Sequence, residues 1–152
     1  MSTARRFDPQ LAARSMARKL AVQALYRWQL NDSPWQDLVQ EFADEPDMLK
    51  ADRGYFQALL SDIAQDRPAL DGLLAGWQDR AAADLDPVEH AVLWVGVLEL
   101  RNRPDVPWRV AINEAVLLAK RFGATDGHKF VNAVLDKAAH VLRGAEIAAG
   151  NG

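Results

Sequence analysis

Apolar residues in this chain recur at intervals of three and four, and strict alternation over a strand's length is hard to find. That spacing puts apolar side chains along one face of an α-helix and argues against sheet. Proline, glycine and cap-forming residues fall between the periodic stretches. The first helix is predicted from Pro9 to Leu30, with a stripe of Met16, Leu20, Ala24 and Trp28 flanked by Val22 and Leu25. Ser33-Pro34-Trp35-Gln36 reads as a capped start of a short second helix, which Asp44-Glu45-Pro46 interrupts. A third runs from about Asp52 to Asp66, and a fourth carries Leu70, Leu73, Leu74 and Trp77. Asp86-Pro87-Val88-Glu89 combines cap, first-position proline and third-position glutamate, so it opens a fifth helix despite its strand-like valines and tryptophan. The sixth ends at Phe122-Gly123, where glycine suits a left-handed cap. Thr125 or Asp126 caps the seventh, which closes at Arg143-Gly144. The expected fold is all-α, with about seven helices packed as antiparallel neighbours in one bundle or two joined ones.

Length fits one domain: 152 residues bury enough surface to fold without a disulfide or metal, and the chain has no cysteine. The expected layout is a flexible basic arm over residues 1–10, a helical binding domain over 11–144 and a disordered tail over 145–152. No apolar core follows the polar start, so no secretory signal is read. The apolar run Ala91 to Leu98 is far short of the ~20 residues that span a bilayer. A cytoplasmic protein without membrane contact is expected.

Charge is unevenly placed. Residues 1–27 carry a net +5, residues 28–105 a net −10 and residues 106–152 a net +2. A basic segment on an acidic chain points to a local anionic partner, since the remaining surface repels nucleic acid. A solvated arm is the plainer reading. Catalytic signatures are missing. His90, His128 and His140 form no metal-ligand spacing, and neither a glycine-rich phosphate loop nor a nucleophile elbow occurs. No enzyme activity, metal or cofactor is expected.

Two constellations remain. Arg14, Arg18 and Lys19 share the opening helix with Tyr26; Arg14 and Arg18 lie four apart and so on one face. Guanidinium groups fork onto phosphate, and an exposed tyrosine stacks on a base; a core tyrosine beside Leu25 is the other reading. The second is the turn from Phe122 to Asn132, where a helix start favours an anion, Lys129 adds charge and Phe130 a stacking face. Here the plainer reading makes Asp126 a cap and Phe130 core.

The stretch from Ala21-Val22-Gln23-Ala24-Leu25-Tyr26 to Leu30 resembles the opening helix of the NusB family of bacterial transcription antitermination factors. The resemblance continues in Asp105-Val106-Pro107-Trp108 through Val116, in Lys120-Arg121-Phe122-Gly123 and from Asp126 to Ala139, and covers about residues 12–143. It implies two three-helix bundles set roughly at right angles. It implies pairing with the ribosomal small-subunit protein NusE, binding of single-stranded boxA RNA, and assembly of an antitermination complex on RNA polymerase, notably on ribosomal RNA operons. By position it assigns RNA contact to Arg14, Arg18, Tyr26, Asp126, Lys129 and Phe130, and partner contact to Glu89; Lys19 joins the RNA-binding set as the further cation of the opening helix. Ser15 and Met16 stand where some relatives have further arginines. A NusB-like domain also opens a ribosomal RNA cytosine methyltransferase, and 152 residues are expected to leave that catalytic domain no room.

Overall fold

The computed structural model describes residues 8–150, all helix and connector. Helix α1 (Pro9–Asn31) starts where the Asp8 carboxylate accepts from the Gln10 and Leu11 amides, with proline at the first turn. It stops at Asp32, which turns left-handed at φ 51°. Helix α2 (Trp35–Phe42) begins after Pro34 and has no side-chain cap, so Ser33 lies one residue too early for the role expected of it. A 3-10 turn, Pro46–Lys50, buries Met48 against α1. Asp52 accepts from the Tyr55 amide at 3.0 Å and opens α3 (Arg53–Gln65). Asp66 joins it to α4 (Arg67–Leu74).

Helix α5 (Pro87–Asn102) is the axis of the molecule. The Asp86 carboxylate accepts from the Val88 and Glu89 amides at 2.9 and 3.2 Å, as its sequence demands. From Glu89 to Leu100 every residue is buried, because α1, α3, α4, α6 (Trp108–Phe122) and α7 (Gly127–Leu142) all pack on it. A helix apolar all round belongs in such a place, which is why its composition looked strand-like. Gly96 lets α7 approach: a methyl group there would sit 2.7 Å from a Leu135 methyl. Helices α1, α2 and α3 form one three-helix bundle and α5, α6 and α7 the other; α1 against α5 joins them, and one apolar core runs through both.

Gly123 does not adopt the left-handed cap expected of it; its φ is −89°. Glycine is needed there for room, since a Cβ would lie 2.6 Å from the Ala119 carbonyl oxygen. The tail also departs from expectation. Residues 144–148 form a short helix, α8 (Gly144–Ala148), instead of a disordered end. Arg143 holds it. This buried guanidinium donates to the carbonyls of Glu99, Leu100, Arg103 and Val106 and to the Glu146 carboxylate, and so caps α5 and pins α8 together. Most of the proposed basic arm, residues 1–7, lies outside the described residues, and Pro9 and Gln10 already belong to α1.

Candidate nucleic-acid interface

The cations of α1 are largely neutralised within the molecule. Arg14 donates to Asp105 at 2.9 Å and lies over the Tyr55 ring. Lys19 donates to Asp47 at 2.6 Å, and Arg27 pairs with Glu41. Arg18 goes furthest. Only 4% exposed, it sends Nε to Glu99 at 2.7 Å and Nη1 to Glu114 at 3.2 Å. The Tyr55 hydroxyl donates to the same Glu99 oxygen, while the other oxygen, Oε1, is buried without a partner. Burial pushes Glu99 up from the usual carboxylate range, and the bonds from Arg18 and Tyr55 pull it only part of the way back. Tyr55 is pushed up too, by burial first and by the Glu99 charge second.

Arg18 is therefore a core residue, not the surface ligand that its four-residue spacing from Arg14 suggested. The sign was present in the sequence: Arg18 falls in step with Ala21, Val22 and Leu25, on the buried side of the helix. Its partner Glu99 was missed because nothing along the chain connects positions 81 residues apart.

Two grooves run along α1, one facing the start of α5 and the end of α6, the other facing α6. One, of about 560 Å³, is lined by Gln23, Tyr26, Arg27 and Asn31 from α1, with Val88 and Phe122 across it. Tyr26 is 40% exposed, so it is a wall of the groove and not a core residue. The second, of about 430 Å³, is lined by Ser15, Met16 and Lys19 opposite Glu114, Leu117 and Arg121. The two meet through one side-chain contact: the Arg121 guanidinium lies over the ring of Phe122. Gln23, Asn31 and Arg121 were not singled out in the sequence; only the packing of α6 on α1 reveals them.

The turn between α6 and α7 lies just past Phe122. Asp126 occupies the cap position with φ 69° but makes no capping bond; its exposed carboxylate instead pairs with exposed Lys129 at 3.2 Å. Phe130 is half-buried beneath the Arg80 guanidinium, 4.5 Å from its ring centre, beside Trp77 and Lys137. Glu89 is 5% exposed and lies under the start of α7: a Cβ on Gly127 would fall 2.6 Å from its Oε2. Burial, then Asp86, pushes this carboxyl up, against a smaller pull from Arg80. A residue so covered offers no free carboxylate to a docking protein, which corrects the partner-facing role given to Glu89. Among the described residues no group of three metal-ligating side chains occurs, and no helix is long and apolar enough to cross a membrane.

The model of the NusB family matches residues 15–140. This chain belongs to the NusB family. Its sequence is 51% identical over 136 residues to the transcription antitermination protein NusB of Hahella chejuensis, covering 90% of this chain and 91% of that one. The solved structure of T. maritima NusB superposes with a TM-score of 0.75 at 26% identity, over 82% of this chain and 89% of that one. A complex of the antitermination factors NusB and NusE with double-stranded RNA contains a chain of the same fold, with TM-score 0.74, 24% identity and coverage of 84% and 96%. Of the positions expected to meet RNA, Tyr26, Asp126 and Lys129 reach solvent, and Arg14, Lys19 and Phe130 are half-buried and engaged. Arg18 is withdrawn into the core of this NusB-family member.

Proposed function

We propose that this chain is a transcription antitermination factor that acts in the cytoplasm by binding, without catalysis. It pairs with the ribosomal small-subunit protein NusE, and the pair takes up single-stranded boxA RNA and joins the antitermination complex on RNA polymerase, notably during ribosomal RNA synthesis. The observation that carries this reading is membership of the NusB family over residues 15–140. The fold shared with a chain solved beside NusE and RNA is consistent with it.

The RNA path proposed here follows the α1–α6 edge to the turn before α7. Tyr26 offers a ring face to a base, and the Gln23 and Asn31 amides offer both donors and acceptors to base edges. Asp126 and Lys129 mark the far end, with Phe130 held beneath Arg80 behind them. Arg14 and Lys19 reach phosphate only by leaving Asp105 and Asp47. Arg18 and Glu89 support these surfaces from below. The test is fluorescence anisotropy of a labelled boxA-type RNA with this protein alone, the NusE-type partner alone and the two together. Much tighter binding by the pair is expected, and by linkage the RNA must tighten the pair equally. Association of the two proteins with no gain in RNA affinity refutes the reading.

A further inference from the structure

We infer that Arg121, at the end of α6, is the main phosphate-binding cation of the α1–α6 groove and supplies the free charge that α1 does not. The inference rests on the RNA reading above and deepens it. The charge count at the groove leads to it. The carboxylate that lines it, Glu114, is already engaged by Arg18 at 3.2 Å, and Asp47, which feels Arg121 only weakly, is engaged by Lys19 at 2.6 Å. Asp47 is held below the usual carboxylate range chiefly by Lys19, with only a small pull from Arg121. Ser15 and Met16, facing Arg121 across the groove, carry no charge. Arg121 is exposed and has no ion pair or hydrogen-bonded partner among the described residues; exposed Lys120 precedes it, likewise without an ion pair.

Its side chain is also placed. The guanidinium lies 5.5 Å from the centre of the Phe122 ring, and Phe122 lines the neighbouring groove with Tyr26. A guanidinium seated on an aromatic face keeps its N–H edge free to fork onto a phosphate. A strand whose base stacks on Tyr26 then has a phosphate site in the neighbouring groove, on the far side of Phe122. An acidic segment of a partner protein would also suit the charge. The stacking ring of Tyr26 and the Gln23 and Asn31 amides favour single-stranded RNA.

The test uses the full chain with its NusE-type partner and a fluorescein-labelled boxA-type RNA, titrated across a series of KCl concentrations. Arg121→Ala is expected to weaken RNA binding about tenfold, the size of one charge-assisted contact. It should also lower the slope of log affinity on log salt by about 0.7, the value for one phosphate on a single strand. Arg121→Lys keeps the slope while losing part of the affinity. Arg109→Ala, an exposed cation at the other end of α6, changes neither. Unchanged affinity and slope in Arg121→Ala overturn the inference, as does a loss of partner association in its place, which would make the groove a protein-docking site. A wild-type pair that forms but ignores the RNA overturns the antitermination reading itself, and does so before any variant is compared.

Discussion

Replacing Arg18 with methionine removes the guanidinium that faces the Glu99 carboxylate, yet roughly keeps the buried volume. Glu99 then keeps the Tyr55 hydroxyl but loses its countercharge, with Oε1 already unpartnered. Breaking a buried pair by deleting one member costs about 3–5 kcal/mol, because the charge left behind is neither solvated nor matched. At roughly 2–4 °C per kcal/mol for a chain of this size, the melting temperature should fall by about 10 °C. Circular dichroism melts read this directly. The loss must depend on pH. Glu99 already titrates above its ordinary value, and removing Arg18 raises it further. A carboxyl raised by folding costs nothing below its unfolded value, where both states are protonated. The cost grows as pH rises towards the folded value and is complete above it. The deficit of Arg18→Met should therefore be smaller at pH 5 than at pH 8. Adding Glu99→Leu should recover most of the lost stability. RNA binding per folded molecule should be unchanged. A loss below about 1 kcal/mol at neutral pH, or one that ignores pH, refutes the assignment of Arg18 to the core.

Four further outcomes follow from single contacts. Gly127→Ala places a methyl against the buried Glu89 carboxylate and should cost about 1–3 kcal/mol; in a double-mutant cycle with Glu89→Ala most of that cost should vanish. Arg143→Ala strips the carbonyls of Glu99, Leu100, Arg103 and Val106 of their donor and should cost about 3 kcal/mol or more, with faster hydrogen exchange at the end of α5 and in α8. Burial raises Asp71, but the bonds from His90 at 2.6 Å and Trp94 at 2.9 Å outweigh it and hold this carboxyl below its ordinary value. Its stabilising effect is present above the unfolded value and lost as pH falls through the folded one, so Asp71→Asn should flatten the acid limb of the stability curve. Asp105→Asn releases Arg14 from an exposed ion pair worth at most about 1 kcal/mol, and should raise RNA affinity of the protein–partner pair by up to about fivefold at low salt.

How much of this was legible in the sequence differs between elements. Helix α5 was read correctly because its cap, proline and spacing are local signals, and Asp86 does what its position demands. Helix α8 was not, because what orders it is Arg143 gripping carbonyls some 40 residues back, a contact with no local trace. Gly123 was read as the end of α6, which it is, but for a reason that does not hold: the constraint is the Ala119 carbonyl, not a left-handed φ. The same division holds at the candidate interface. Tyr26 and Lys129 reach solvent as an RNA surface requires, while Arg18 and Glu89 turn inward. Net charge along the chain counts cations but is blind to which carboxylate each one meets.

That blindness matters because the ion pairs of α1 are of two kinds. Arg14–Asp105 and Lys19–Asp47 each have a partner 40% or more exposed, so water already screens them and a phosphate can displace the carboxylate at little cost. Arg18–Glu99 is dry on both sides, and opening it would strand a carboxylate in the core. Among the described residues RNA therefore has two sources of positive charge: free cations such as Arg121, available at once, and the shallow pairs of α1, available by exchange. Exchange returns a charge to Asp105 or Asp47 for every one it draws to RNA, so its net electrostatic gain is small. Among the described residues, the salt dependence of RNA binding should then be set mainly by the free cations of α6 and α7 and less by the cations of α1, although α1 itself carries four cations and no carboxylate.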